Sequence, residues 1–130
     1  VTVVDASVVV DALVGDGTRG VAARAAVARA DVLVAPEHVR AECAQGIRRA
    51  WRTGVVPEVR AAAAFRSLAM LTLVTVPIAH LLDRAWELRH DLSATDALYV
   101  ALAELLQEPL LTSDLRIGRA AGVRCPVLHP

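Results

Sequence analysis

The sequence predicts an α/β fold in one domain, residues 1–130, with a central parallel sheet of about four or five strands flanked by helices. Three observations predict it. Short β-branched apolar runs alternate along the chain with longer Ala-rich segments of helical character. Glycine and proline punctuate the joins between them. At 130 residues the chain is long enough for one core without staples, and it has no repeat, low-complexity tract or interdomain linker.

Taken in order, Thr2 to Asp5 is short and β-branched, as a fully buried parallel strand is. Ala6 to Val14 reads as a short helix closed by Gly15. Thr18 to Ala30 is Ala-rich, with Arg19, Arg24 and Arg29 recurring as a charged outer stripe. Val32 to Val34 is the second strand. Pro36 suits the first turn of a helix, with Glu37 beside it, running to about Thr53 and ended by Gly54. Pro57 starts another Ala-rich helix that reaches about Met70. Leu71 to Val76 is the third strand, stopped by Pro77. Helices follow at about Ile78 to His90 and Ser93 to Gln107. Leu110 to Thr112 is a strand, Leu115 to Ala121 a helix ended by Gly122, and Val127 to His129 a closing strand.

Composition narrows the function. Hydrophobic residues are 55% of the chain, and the mean hydropathy is +0.47, high for a small domain and a sign of apolar surface left for a partner or a second copy. No run approaches the roughly 18 apolar residues of a membrane span, and no signal-peptide pattern opens the sequence, so a cytoplasmic protein with no membrane association is expected. Cys43 and Cys125 lie far apart and lack zinc-ligand spacing, and so read as buried free thiols. The net charge is +0, without the basic excess of many nucleic-acid binders. All 14 basic side chains are Arg. Without Lys, P-loop, Schiff-base and phospho-acceptor receiver chemistries are set aside.

The acids carry the chemistry. Asp5 ends the first strand, Asp114 follows the strand Leu110 to Thr112, and Asp96 opens a helix that is apolar on several faces. Sites in open parallel sheets form outside the carboxyl ends of the strands, so Asp5 and Asp114 share a mouth if their strands are neighbours. A carboxylate beside such dry elements must be protonated, paired or metal-bound. Each acid also has a plainer reading. Asp5 and Asp114 can cap the helices that follow them, Asp96 stands three after Ser93 as in a capping box, and Glu42 can be a solvated helix residue. Glu42 flanks the apolar stripe of Val39, Cys43, Ile47, Ala50 and Trp51, with Gly46 one turn on, at the border from which an acid reaches a cleft.

The set resembles the PIN-domain ribonucleases and, within them, the toxins of VapBC-type toxin–antitoxin pairs. The resemblance runs nearly end to end. It rests on Val3-Val4-Asp5-Ala6-Ser7, on Glu42 within Val39-Arg40-Ala41-Glu42, on Ser93-Ala94-Thr95-Asp96-Ala97 before an apolar helix, and on Leu111-Thr112-Ser113-Asp114. It implies a PIN-like nuclease domain over 1–130 with Asp5, Glu42, Asp96 and Asp114 as the catalytic, metal-binding quartet. Asp5, Asp96 and Asp114 are then the main ligands of Mg²⁺, with Mn²⁺ as substitute, and Glu42 orients the attacking water or holds a second ion. Ser7 and Thr112 position waters or ligands. The implied reaction is hydrolysis of RNA phosphodiesters, and the implied partners are a cognate VapB-type antitoxin, RNA and a second copy in a homodimer.

Arg116 and Arg119 follow Asp114, and Arg48, Arg49 and Arg52 make a basic end on the Glu42 helix. These are candidate RNA contacts, of which Arg48, Arg49, Arg116 and Arg119 are the leading ones, against the plain reading of a solvated Arg face. Trp51, Trp86, Tyr99 and Phe65 are read as core, and His38, His80, His90 and His129 as surface or packing residues. Three other readings compete: a housekeeping PIN nuclease without an antitoxin, a catalytically idle partner-binding module, and a phosphate-monoester hydrolase with an Asp nucleophile. The last lacks its Asp-x-Asp start, because Ser7 stands two after Asp5.

Overall fold

The computed structural model describes all residues, Val1–Pro130. In chain order the elements are β1 (Thr2–Val4), α1 (Ala6–Val14), α2 (Thr18–Ala28), β2 (Leu33–Pro36), α3 (Val39–Arg52), α4 (Glu58–Met70) and β3 (Val74–Val76). A 3-10 turn (Ala79–Leu81), α5 (Leu82–Glu87), α6 (Ala94–Leu106), β4 (Leu110–Leu111), α7 (Leu115–Arg119) and β5 (Val127–Leu128) complete it. The five strands form one sheet in the order β3-β2-β1-β4-β5, and every pairing is parallel. Val3 and Val4 point to opposite faces and neither is exposed, so the central strand is covered on both sides.

The order answers the question left by the sequence. β1 pairs directly with β4, Val3 opposite Leu110 and Val4 opposite Leu111. Asp5 therefore leaves β1 at the level where Thr112 leaves β4, and the Asp5 N–H is bonded to the Leu111 carbonyl at 2.9 Å. Two carboxyl strand ends open on one mouth. Around it, α1 packs on α2, α3 and α4, while α6 packs on β1 and β2. Gly46 lets α3 approach α1 closely: a Cβ there would meet Val10 Cγ2 at 3.0 Å. That approach brings Glu42, one turn earlier, toward the mouth.

Three boundaries differ from expectation. Pro36 does not start a helix; it ends β2, paired with Val76 of β3, and α3 begins at Val39. Proline fits both positions because it is the missing N–H that decides, and here Glu37 makes the next ladder bond, to the Val76 carbonyl at 2.8 Å. The third strand spans only Val74–Val76. Leu68 and Leu71 give their carbonyls to the Arg40 guanidinium instead. The expected helix from Ile78 to His90 is a 3-10 turn followed by the six-residue α5.

Candidate metal centre

Asp5 is 5% exposed, among the most buried charged residues of the chain. It is the N-cap of α1 by position, but its side chain makes no capping bond. The carboxylate turns inward, where Oδ2 accepts the Ser7 hydroxyl at 2.7 Å and the fully buried Thr112 hydroxyl at 2.6 Å. Thr112 Oγ1 also accepts the Asp114 N–H at 3.0 Å, and Ser7 Oγ accepts the Ser113 N–H at 3.1 Å. These two hydroxyls tie the end of β1 to the turn that carries Asp114. A desolvated carboxylate with donors on one oxygen keeps the other for a cation.

The other acids converge on the same hollow of about 630 Å³, which Asp5, Glu42, Asp96 and Asp114 all line. Asp96 stands in the first turn of α6, whose N-cap Ser93 accepts the Asp96 N–H at 3.2 Å. Burial pushes the Asp96 carboxyl above its ordinary value; the Ser93 hydroxyl opposes this, and the charges of Asp5 and Asp114 add to it. Burial likewise raises Glu42, with the Tyr99 hydroxyl and His38 opposing and the charges of Asp5 and Asp96 adding. The acids thus feel one another across the hollow.

Asp114 is the exception. The Arg116 guanidinium holds its carboxyl below the usual range, at 2.6 Å and 3.2 Å from Oδ2 and 3.0 Å from Oδ1. Asp114 also caps α7 through the Arg116 N–H at 2.9 Å, so its plainer reading is realised alongside its place in the hollow. As the side chains stand, no three acids, histidines or cysteines are gathered to clasp an ion. Asp114 is turned to Arg116, and Glu42 to Tyr99 and His38. The donor set nonetheless fits a hard cation, since the four acids and Ser7 that line the hollow offer carboxylate and hydroxyl oxygens. Cys43 is no competitor, because burial pushes its thiol up to about 12 and its Sγ–H points to the Ala6 carbonyl.

Three contributors escaped the sequence. Tyr99, read as core, is fully buried, but its hydroxyl donates to Glu42 Oε1 at 3.0 Å. His38, read as packing, stacks at 5.1 Å on the Tyr99 ring. Its Nε2 lies 2.7 Å from the same Glu42 oxygen but off the line of a hydrogen bond, and both ring nitrogens lack aligned partners. Asp11 lines the hollow and accepts the Ser113 hydroxyl at 2.7 Å and the Arg19 Nε–H at 2.8 Å. Its signal was an acid one turn after Ser7 in an otherwise apolar helix. Of the candidate RNA contacts, Arg49 and Arg116 line the hollow. Arg48 lies next to it along α3, and Arg119 faces a separate hollow with Val127 and His129.

The PIN domain profile matches residues 2–123. The chain belongs to the PIN-domain family. Ribonuclease VapC1 of Mycobacterium tuberculosis is 39% identical over 126 residues, 96% of this chain and 94% of that protein. Ribonuclease VapC9 of the same organism is 41% identical over 128 residues, again 96% and 94%. Within the family the chain therefore stands with the VapC ribonucleases. Among solved structures, the Mycobacterium tuberculosis VapC20, described as a Sarcin-Ricin loop cleaving toxin, superposes with a TM-score of 0.72 at 23% identity, covering 95% of this chain and 97% of that one. A toxin–antitoxin complex from Klebsiella pneumoniae gives 0.68 at 20% identity, covering 98% and 96%. Both share the α/β fold with the parallel sheet. No helix of this PIN-domain chain is long and apolar enough to cross a membrane.

Proposed function

We propose that this chain is a divalent-metal-dependent endoribonuclease of the cytoplasm and the toxin of a VapBC-type pair. The observation that carries the reading is Asp5: a desolvated carboxylate at the end of the central strand, held by two hydroxyls, with Glu42, Asp96 and Asp114 lining the same hollow. Relatives at 39% and 41% identity that bear the name ribonuclease support it.

In this reading Asp5, Asp96 and Asp114 would hold Mg²⁺, or Mn²⁺ in its place. When bound, the cation supplies positive charge against the phosphodiester and acidifies water. The protein's own groups do the rest. Ser7 and Thr112 fix the Asp5 carboxylate, so no rotamer has to be frozen when substrate arrives. Tyr99 holds Glu42 by Oε1, with His38 close against the same oxygen, which leaves Oε2 to orient the attacking water and take its proton. Arg116 is placed to meet a phosphate once Asp114 turns to the cation. Water adds to phosphorus, the bond to the leaving oxygen breaks, that oxygen takes a proton from bulk water, and Glu42 returns its proton to bulk water.

The antitoxin and dimer readings draw on exposed apolar side chains, among them Val59, Met70 and Trp86. An antitoxin segment that offers an Arg to the carboxylates would also block them. Purified protein incubated with RNA, with and without Mg²⁺ or Mn²⁺, tests the nuclease: cleavage that needs the metal and vanishes in Asp5→Asn is expected. Metal-independent cleavage, or full activity in Asp5→Asn, refutes it. Growth arrest on expression, relieved by the adjacent small gene, separates a toxin from a housekeeping nuclease.

A further inference from the structure

Three hollows follow one another along α3, each joined to the next by shared residues. The carboxylate hollow and a second of about 320 Å³ share Gln45 and Arg49. The second is lined by Gln45, Arg48, Arg49, Arg52 and Thr53, with no apolar residue. Arg48 in turn lines a third hollow of about 290 Å³ together with Trp51, Phe65, Ala61, Ala62 and one acid, Glu58. Both aromatic rings are exposed, Trp51 at 43% and Phe65 at 45%, although the sequence marks them as core.

The charges in this row are unspent. Arg19, Arg60, Arg84 and Arg116 each pair with a carboxylate, and Arg24, Arg40 and Arg89 bond carbonyls. Arg48, Arg49 and Arg52 do neither; Arg29, Arg66, Arg119 and Arg124 share that state, but only the first three sit together along one row of hollows. Arg49 and Arg52 favour the end of α3 through its dipole. Arg48 and Arg52, however, stand at i and i+4, where like charges repel. Neither side chain has an ion pair to offset that, and a polyanion would supply one.

We propose that this row is the path of single-stranded RNA: phosphates next to the cleaved bond lie on Arg49, Arg52 and Arg48, and an unstacked base lies on Trp51 with Phe65. The inference rests on the ribonuclease reading for its substrate class. A groove that follows the backbone with positive charge and ends on aromatic faces is how strands are held without sequence readout. Arg119 lies outside the path. Arg116 stands at its other end, across the acids.

The test is equilibrium binding of a fluorescein-labelled, mixed-sequence single-stranded RNA to the full chain in EDTA, over a range of salt. Replacing Arg48 and Arg52 together by Ala touches two exposed side chains outside the carboxylate hollow. It is expected to flatten the slope of log affinity against log salt by about 1.4, near 0.7 for each phosphate that is no longer neutralised. The double change Arg48→Lys, Arg52→Lys is expected to restore the slope, which a packing effect would not do. Trp51→Ala is expected to weaken binding about tenfold with the slope unchanged, and Trp51→Phe to recover it. An unchanged slope in the Ala double variant, with melting as in wild type, overturns the path. So does intact RNA binding combined with loss of antitoxin capture, which would make the face a protein-docking surface. Cleavage in Mn²⁺ is read separately: RNA held by the path but never cut leaves the path standing and removes the nuclease. Cutting with an unchanged slope does the reverse.

Discussion

Thr112 offers a direct contest between packing and hydrogen bonding. It is fully buried, so by shape alone Thr112→Val is the gentlest change available, and Thr112→Ser, which empties the space of a methyl group, is the harsher one. The hydroxyl reverses that order. Thr112→Ser keeps the donor to Asp5 and the acceptor for the Asp114 N–H; it loses one buried methyl, about 1 kcal/mol. Thr112→Val removes a hydrogen bond to a charged acceptor, roughly 1.5–3 kcal/mol, and leaves a part-buried N–H unpaired for about 1 kcal/mol more. The expected cost is about 3 kcal/mol.

For 130 residues, an unfolding entropy of about 2.1 cal/mol/K per residue converts each kcal/mol into roughly 4 °C of Tm. Thr112→Ser should therefore melt about 4 °C below wild type and Thr112→Val about 11 °C below, by circular dichroism without added metal. Metal-stimulated RNA cleavage should survive in the Ser variant and fail in the Val variant, where Asp5 keeps only the Ser7 hydroxyl. A Val variant that melts at or above the Ser variant refutes the reasoning, since it would mean that volume and not the shared hydroxyl holds the two strand ends together.

Acidity gives a second expectation with two opposite signs. Glu42 and Asp96 titrate above their ordinary values of 4.5 and 3.8, so the folded chain binds those protons more tightly than the unfolded one. Metal-free protein should gain stability as pH falls through this window just above the ordinary carboxylate range, while the Tm rise given by Mn²⁺ should shrink there, because bound protons exclude the cation. Asp114, lowered from 3.8, acts the other way, and its contribution is lost only at still lower pH. Arg116→Ala should tighten Mn²⁺ binding, read by calorimetry, because the guanidinium no longer competes for Asp114, and should raise KM for RNA; weaker metal binding would count against the competition. Tyr99→Phe should lower kcat with KM nearly unchanged and leave Mn²⁺ affinity within about twofold, as expected of a group that orients Glu42 without ligating; an unchanged kcat would reduce the hydroxyl to a packing detail.

That Asp5, Asp96 and Asp114 line one hollow had a trace in the sequence, because each interrupts or ends an apolar run. The strand order was not legible. Nothing in residues 1–4 or 110–112 names its partner, and the Asp5–Thr112 bond spans 107 positions. Pro36 misled for a related reason: a residue without an N–H suits a strand end and a helix start alike, and only the pairing with Val76 distinguishes them. Trp51 and Phe65 fell on helical stripes and so read as core, but the buried residues are Val39, Cys43 and Ile47 on α3 and Ala61, Ala64 and Leu68 on α4, and both rings lie outside those faces.

Tyr99 and His38 show where such reading stops in principle. A hydroxyl inside an apolar helix is silent until its acceptor is known, and Glu42 lies 57 residues away on another element. The cost of burying the Tyr99 hydroxyl is offset only by that carboxylate, and the carboxylate is held in its orientation only by that hydroxyl and the neighbouring imidazole. Each residue alone has a plain explanation as core, packing or solvated acid. Together they gather on one oxygen of Glu42 and leave the other without a partner in the chain, in a residue that lines the hollow. The same logic separates the four acids from ordinary caps: Asp114 does cap α7, yet the turn that lets it do so is tied to Asp5 through Thr112, so capping and convergence on the hollow are one arrangement and not alternatives.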